Sequence, residues 1–278
     1  MAITINTPVG VHTVQGRDIY VKREDLCAPA GAPTFSKIRG LMPHLTKLKN
    51  EGYTTIGYVE TSVSMAGWGV AWACAQLGLN AVIFDPQYKE TPVILAYHRH
   101  YWEKYGATLI PIKAGMARVN WNISRKLLLE RYGEHSVLLQ LGLPLQESIQ
   151  ATADEMILTH SGVDFDTVVV NVGSGTIAAG VWRGLVSGSG IVYGVMGRTG
   201  DMVHKLKVIE DKAGCTNTGL FSSPWRFQLV DPGWAYTQAS GYPCPFPCHP
   251  YYDRKAWEWL CTHLDELPGR ILFWNIGH

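Results

Sequence analysis

The chain has 278 residues, 46% apolar and 17% charged. That composition excludes an intrinsically disordered protein and allows one large domain or two coupled ones. The formal net charge is +1, so no global field draws the chain to nucleic acid or a membrane surface. No apolar run approaches the roughly 20 residues of a membrane helix, and no membrane partner is expected.

The first residues, MAITINTPVG, lack the charged and apolar blocks of a secretory signal. Six cysteines are scattered at 27, 74, 215, 244, 248 and 261. Together these predict a cytoplasmic setting with free thiols. The stretch YVKRED at 20–25 reads as a strand end rich in ion-pairing groups. Residues 33–41, PTFSKIRGL, set Lys37 between a hydroxyl-rich turn and an apolar helical pattern running through Leu41, Leu45 and Leu48. A lysine there is either a solvated helix-start residue or, if burial lowers its pKa, a nucleophile.

From residue 53 short β-rich runs alternate with helical ones. TTIGYVE precedes MAGWGVAWACAQLGL, NAVIF precedes TPVILAYHRHYWEKYG, and ATLIPI precedes RVNWNISRKLLLERYG. SVLLQL, DTVVVNV and IVYGVM follow, each with its own helix-length partner. Strands without polar alternation, each followed by a helix, predict an α/β fold with parallel sheets covered on both faces. The aromatic and basic stretch at 96–106 reads as an amphipathic helix with core contacts; stacking on nucleobases is the less favoured reading. Between about 220 and 252 the alternation fails, and proline, aromatics and cysteine predominate, as in a functional loop or a cover over a site. RKAWEWLCTHL then predicts a helix and RILFWN a last strand.

VVVNVGSGTIAAG places Gly173, Ser174, Gly175 and Thr176 between a buried strand and a helix start. Glycines allow close backbone approach, and free N–H groups at a helix N-terminus suit a phosphate. Neither the Walker pattern nor the dinucleotide fingerprint is present. A phosphate-bearing cofactor other than ATP or NAD, combined with a separate lysine, points to pyridoxal 5'-phosphate, whose aldehyde needs an amine. Cys244, Cys248, Cys261 and His263 lack a structural-zinc spacing, and no metal is expected.

The order TPV, IYVKREDL, SKIRGL, ETSVSMAGWGVAWACAQLGL, QATADEM, VGSGTIAAG, HPYYDRKAW and ILFWNIGH resembles the fold-type II pyridoxal-phosphate enzymes, the tryptophan synthase β superfamily. The nearest branch is that of 1-aminocyclopropane-1-carboxylate deaminase and D-cysteine desulfhydrase. The resemblance implies two open parallel-sheet domains with the cofactor in the cleft between them. The larger, cofactor-anchoring domain would span 1–51 and 151–278, and the smaller one 52–150. It further implies that Lys37 holds the cofactor covalently, that Ser64 is the active-site serine, and that Asp253 faces the pyridine nitrogen. Tyr252, or Tyr236 upstream, would serve as acid or base. Arg39 and the Gly173–Thr176 turn would complete the cofactor site, and a homodimer is expected.

Where the branch has Ser-Asn-His, this chain has Ser64-Met65-Ala66-Gly67-Trp68, so the family's particular substrates are not carried over. The first expectation is an enzyme acting at the α-carbon of a small amino acid by deamination or elimination. The alternatives are a phage-type enzyme that decarboxylates or rearranges an amino acid attached to thymine, and a relative that binds ligand without catalysis.

Overall fold

The computed structural model describes residues 3–214 and 225–278; Cys215 and the start of the irregular 220–252 segment lie outside the described residues. In chain order the elements begin with β1 (Val9–Val14), β2 (Arg17–Arg23), α1 (Ile38–Asn50), β3 (Thr55–Val59), α2 (Ala66–Leu77), β4 (Asn80–Gln87), α3 (Val93–Lys104) and β5 (Thr108–Lys113). They continue with α4 (Ala117–Tyr132), β6 (Ser136–Leu138), α5 (Gln146–Gly162), β7 (Thr167–Val172), α6 (Thr176–Gly184), β8 (Ile191–Met196), α7 (Met202–Ala213), β9 (Arg226–Val230), α8 (Asp253–Thr262) and β10 (Ile271–Asn275).

Two compact units result. The larger comprises residues 1–29, 34–39 and 146–278; the smaller comprises 30–33 and 40–145. Residues 40–51, assigned to the larger domain on sequence grounds, cluster with the smaller unit. Residues 146–150 move the other way, since α5 stays whole in the larger unit.

The larger unit holds a six-stranded sheet in the order β1-β2-β10-β7-β8-β9, parallel throughout except for the antiparallel β1–β2 pair. Its central strands are buried along their whole length. Val168, Val170 and Val172 pack with Ile149 and Met156 of α5, Ile177 and Val181 of α6, and Ile209 of α7. Val169 and Phe273 join Ala256, Trp257 and Leu260 of α8. Helices on both faces explain why these strands read as continuous apolar runs. The smaller unit holds a four-stranded parallel sheet, β5-β4-β3-β6.

Two edge strands depart from the sequence expectation. β1 extends the sheet ahead of the parallel array, and β9 lies inside the segment read as irregular. Both sit at sheet edges and carry exposed positions, so they lack the apolar density by which the central strands are recognised. The five described cysteines carry no disulfide. No described helix is long and apolar enough to cross a membrane.

Candidate functional site

In the larger unit, α6 leads β7 through β8 toward β9, whereas β10 pairs with the other side of β7. The order therefore reverses between β7 and β10, and in open α/β sheets the carboxyl ends of strands at such a reversal are where ligands bind. The turn Gly173–Thr176 follows β7, and the segment Ile276–His278 follows β10. That segment ties down the Lys37 turn: Ser36 N–H donates to the Ile276 carbonyl at 3.0 Å and His278 N–H to the Thr34 carbonyl at 3.1 Å. Phe35 and Gly277 form a β-bridge. Long-range pairing thus fixes Lys37 just ahead of α1.

The partly buried Lys37 points its Nζ to the Ser174 hydroxyl at 3.3 Å. Burial and the nearby Lys212 ammonium lower its pKa to about 7, against a smaller opposing effect of Asp253. Lys212 and Lys205 lie seven residues apart on α7, hence on one helical face. Lys205 Nζ donates to the Gly173 carbonyl at 2.8 Å. Lys212 Nζ donates to the Ser174 carbonyl at 2.5 Å and to Thr176 Oγ1 at 3.4 Å. Burial lowers Lys212 to about 8, with Lys205 adding to the effect, and lowers Lys205, with Arg198 adding. Cations crowded until their pKa values fall form a site that an added anion relieves. The sequence reading missed Lys205 and Lys212, although their i, i+7 spacing in HKLKVIEDKAG was available.

The glycines of the turn have separate reasons. Gly175 has φ +81° and a Cβ there would stand 2.9 Å from Ile209 Cγ1, whereas a Cβ on Gly173 would project into open space. If the turn holds the cofactor phosphate, Gly173→Leu should fill that space without disturbing the fold. Losing charge-assisted bonds of about 1.5–3 kcal/mol predicts roughly ten- to hundredfold weaker cofactor affinity, with a nearly unchanged melting temperature for the cofactor-free protein. Calorimetric titration and thermal melts check both halves. Gly175 is the poorer probe, since a side chain there strains the backbone as well.

Asp253 begins α8 and is 2% exposed. Its Oδ1 has no hydrogen-bond partner. Burial holds the carboxyl well above the usual range, the N–H groups of Ile276 and Gly277 pull it down, and Asp25 pushes it up. A buried acid with an unused oxygen, hydrogen-bonded by the segment that anchors Lys37, fits the protonated ring nitrogen of pyridoxal phosphate. Tyr252 precedes it, and its hydroxyl lies 2.9 Å from that of Tyr236. The buried Lys255 holds the Tyr236 segment by donating to the carbonyls of Gly197 and Ala235 at 2.7 and 2.9 Å.

Arg39, expected among the cofactor-binding residues, has its guanidinium on Glu24, on Glu155 at 3.4 Å and on the Thr4 carbonyl at 3.0 and 3.1 Å. Lys22 pairs with Glu155 at 3.0 Å. The KRED stretch is therefore part of a buried ionic brace behind the Lys37 turn, which explains why these charges sit inside a strand end. Removing one partner of such a pair strands a buried charge, at about 3–5 kcal/mol.

Ser64 belongs to the smaller unit, in the loop between β3 and α2. Met65 is the N-cap residue and supplies no side-chain cap; Ser64 Oγ accepts the N–H of Ala66, the first residue of α2, at 3.1 Å. Trp68 stacks on Tyr101 of α3 with ring centroids 3.7 Å apart, and α3 buries Leu95, His98 and Trp102. The 96–106 stretch thus serves core packing, with Tyr97 on its exposed side.

A lysine with a depressed pKa, a cation-lined glycine turn and a buried acid on one edge of a parallel sheet define a pyridoxal-phosphate enzyme of the α/β kind. The chain belongs to the pyridoxal-phosphate dependent enzyme family, whose model matches residues 4–225. It is 40% identical over 290 residues to the glycyl-dTMP PLP-dependent decarboxylase of Pseudomonas phage M6, with 99% of each chain covered. Among solved structures it is similar to a homologue of 1-aminocyclopropane-1-carboxylate deaminase, with a TM-score of 0.78, 21% identity, and 100% of this chain and 90% of that one covered. A hydrogen sulfide-producing enzyme from Fusobacterium nucleatum has a TM-score of 0.66, 14% identity, and coverage of 99% and 96%. Both share the fold-type II architecture.

Proposed function

We propose that this enzyme removes carbon dioxide from an amino-acid group, glycine in the first instance, carried on a thymine nucleotide. The observation that carries the reading is the 40% identity, over 99% of both chains, to a decarboxylase whose name specifies that substrate. The deaminase homologue, at 21% identity, supports the fold alone. Deamination or elimination on a free amino acid, the first expectation from sequence, accordingly becomes the second reading.

In this reading Lys37 would hold the cofactor through its aldehyde and would carry a proton at its Nζ. The N–H groups of the Gly173–Thr176 turn, with Lys212 and Lys205, would hold the phosphate. Asp253 would meet the ring nitrogen and keep it protonated. Arg39 braces the lysine turn. In the larger unit the Tyr236–Tyr252 pair would donate or accept protons near the substrate, and Ser64 is the smaller unit's own candidate for proton transfer. Pyridoxal phosphate, when bound, supplies a ring that takes up the electron pair left when a bond to the α-carbon breaks. Carbon dioxide leaves with neither of those electrons, and a proton from the protein takes its place on the carbon.

The Met65-Ala66 pair offers no strong side-chain donor where the deaminase branch has asparagine and histidine. Loss of one charge-assisted bond costs about 1.5–3 kcal/mol, so turnover of 1-aminocyclopropane-1-carboxylate and D-cysteine should be poor. The test is purified enzyme with glycyl-dTMP, the same group within an oligonucleotide, free glycine, and the two amino acids above. Release of carbon dioxide and a decarboxylated nucleotide are expected. Ordinary efficiency on a free amino acid with none on either nucleotide form would overturn the proposal.

A further inference from the structure

In the larger unit β7, β8 and β9 run parallel, so the loops that follow them lie on one edge of the sheet. The loop after β7 is the glycine turn. The loops after β8 and β9 are braced against each other: Thr199 N–H donates to the Trp234 carbonyl at 2.8 Å, and the Thr199 hydroxyl donates to Asp231 at 2.7 Å. Lys255 bridges the carbonyls of Gly197 and Ala235. Asn171, in β7, donates to the Tyr252 carbonyl at 2.9 Å, and a Cβ on Gly197 would stand 3.2 Å from the same amide nitrogen. Both loops are thereby fixed beside the Tyr236–Tyr252 pair.

Arg198, in the loop after β8, has no part in the chemistry proposed above. Its guanidinium carbon lies 5.9 Å from the centre of the Tyr236 ring, the ring whose hydroxyl meets that of Tyr252. Among the described residues it has no ion pair and no hydrogen bond. The acids of these loops are engaged elsewhere. Asp231 also accepts the N–H groups of Gly200 and Gly233 at 3.1 and 2.9 Å, and Asp201 accepts the His204 N–H at 3.0 Å. A guanidinium set over an aromatic ring keeps its planar fork of N–H donors for an anion, and that fork matches the oxygens of a phosphate.

Exposure rises from the acid to the arginine: Asp253 is buried, Tyr252 and Tyr236 are half-buried, and Arg198 is exposed. An amino-acid group reacting beside the tyrosine pair would leave the rest of its molecule on the side where Arg198 stands. The carboxylate of a free amino acid stays at the reacting carbon, whereas a nucleotide carries a second anion farther out. We propose that Arg198, with Tyr236 as its platform, is a specificity-determining residue that binds the phosphate of the substrate nucleotide, whether terminal or within a strand. This rests on the reading of the substrate as a thymine nucleotide.

The test uses cofactor-loaded enzyme, so that the cofactor and not the probe takes the cations of the glycine turn, and compares the wild type with Arg198→Gln. The side chain is exposed, so the variant should melt with the wild type. In calorimetric titrations the wild type should bind thymidine 5'-monophosphate about tenfold more tightly than thymidine, the worth of one charge-assisted bond, and Arg198→Gln should bind the two alike. Equal affinity for the two in the wild type, or a preference that survives in the variant, overturns the proposal.

With substrates, kcat/KM for glycyl-dTMP should exceed that for glycyl-thymidine by a similar factor, and Arg198→Gln should lose it on the nucleotide alone. The same loss on both substrates would mark Arg198 as a support of Tyr236 and nothing more, and the inference fails. An oligonucleotide carrying the glycyl group separates the sources of phosphate. Loss there, with a salt dependence shallower by roughly one phosphate contact, assigns a phosphate within a strand; loss on glycyl-dTMP alone assigns a terminal one. Absence of carbon dioxide from every nucleotide and nucleoside form would instead sink the proposed reaction, and the titrations would still decide the phosphate site.

Discussion

Lys37→Ala is expected to lower turnover by about 10²–10⁴-fold, the usual worth of a positioned proton carrier, and to abolish cofactor that borohydride fixes to the protein. The fold should survive, since the lysine turn is held by backbone bonds from Ser36, Thr34 and His278 rather than by the amine. The same residue sets a pH dependence. A lysine lowered to about 7 is a neutral nucleophile above that pH, so cofactor capture by the empty protein should quicken about tenfold per unit on approaching pH 7 and then level off. Replacing Lys212 by methionine removes the neighbouring cation and should move the plateau to higher pH. Peptide mapping of the reduced adduct decides the assignment. Lys22 is paired with Glu155 and Lys47 is 67% exposed, so the serious competitor is Lys212, itself lowered to about 8. A label on Lys212 would refute the assignment of the nucleophile.

Asp253→Asn should separate stability from function. In the cofactor-free protein the carboxyl is buried with an unpartnered oxygen, and its raised pKa means that stability falls as pH climbs above the ordinary carboxylate range. Asparagine keeps the shape and cannot ionise, so the variant's melting temperature should exceed that of the wild type increasingly toward alkaline pH. Turnover should move the other way. An amide cannot offer a negative charge to a protonated ring nitrogen, and losing a charge-assisted bond of about 1.5–3 kcal/mol amounts to roughly one to two decades in rate. The cofactor should still be fixed to Lys37 by borohydride, because that link does not involve Asp253. Wild-type turnover in this variant would remove Asp253 from the cofactor site.

Much of this was readable in one dimension. Central strands such as DTVVVNV and RILFWN are uniform apolar runs because both faces of their sheet are covered, and helix-period segments follow them, so the α/β alternation needed no knowledge of pairing. Lys37, Gly173–Thr176 and Asp253 each sit at a helix start, a place marked by local turn chemistry. The edge strands β1 and β9 were not legible, since exposed positions dilute their pattern.

The sequence by itself determined the class of fold and marked the lysine and glycine turns, because residue pattern and turn chemistry are local; long-range backbone bonds with Ile276 and His278 then hold the lysine turn in place. Only the tertiary structure decided what those groups can do. Arg39 looked like a cofactor ligand until Glu24 and Glu155, 15 and 116 residues away in sequence, proved to hold its guanidinium. Lys205 and Lys212 reach the carbonyls of Gly173 and Ser174 only because α7 rests against the turn after β7. Charge state depends on desolvation and on neighbours brought from far along the chain, and neither is written in any local stretch of residues.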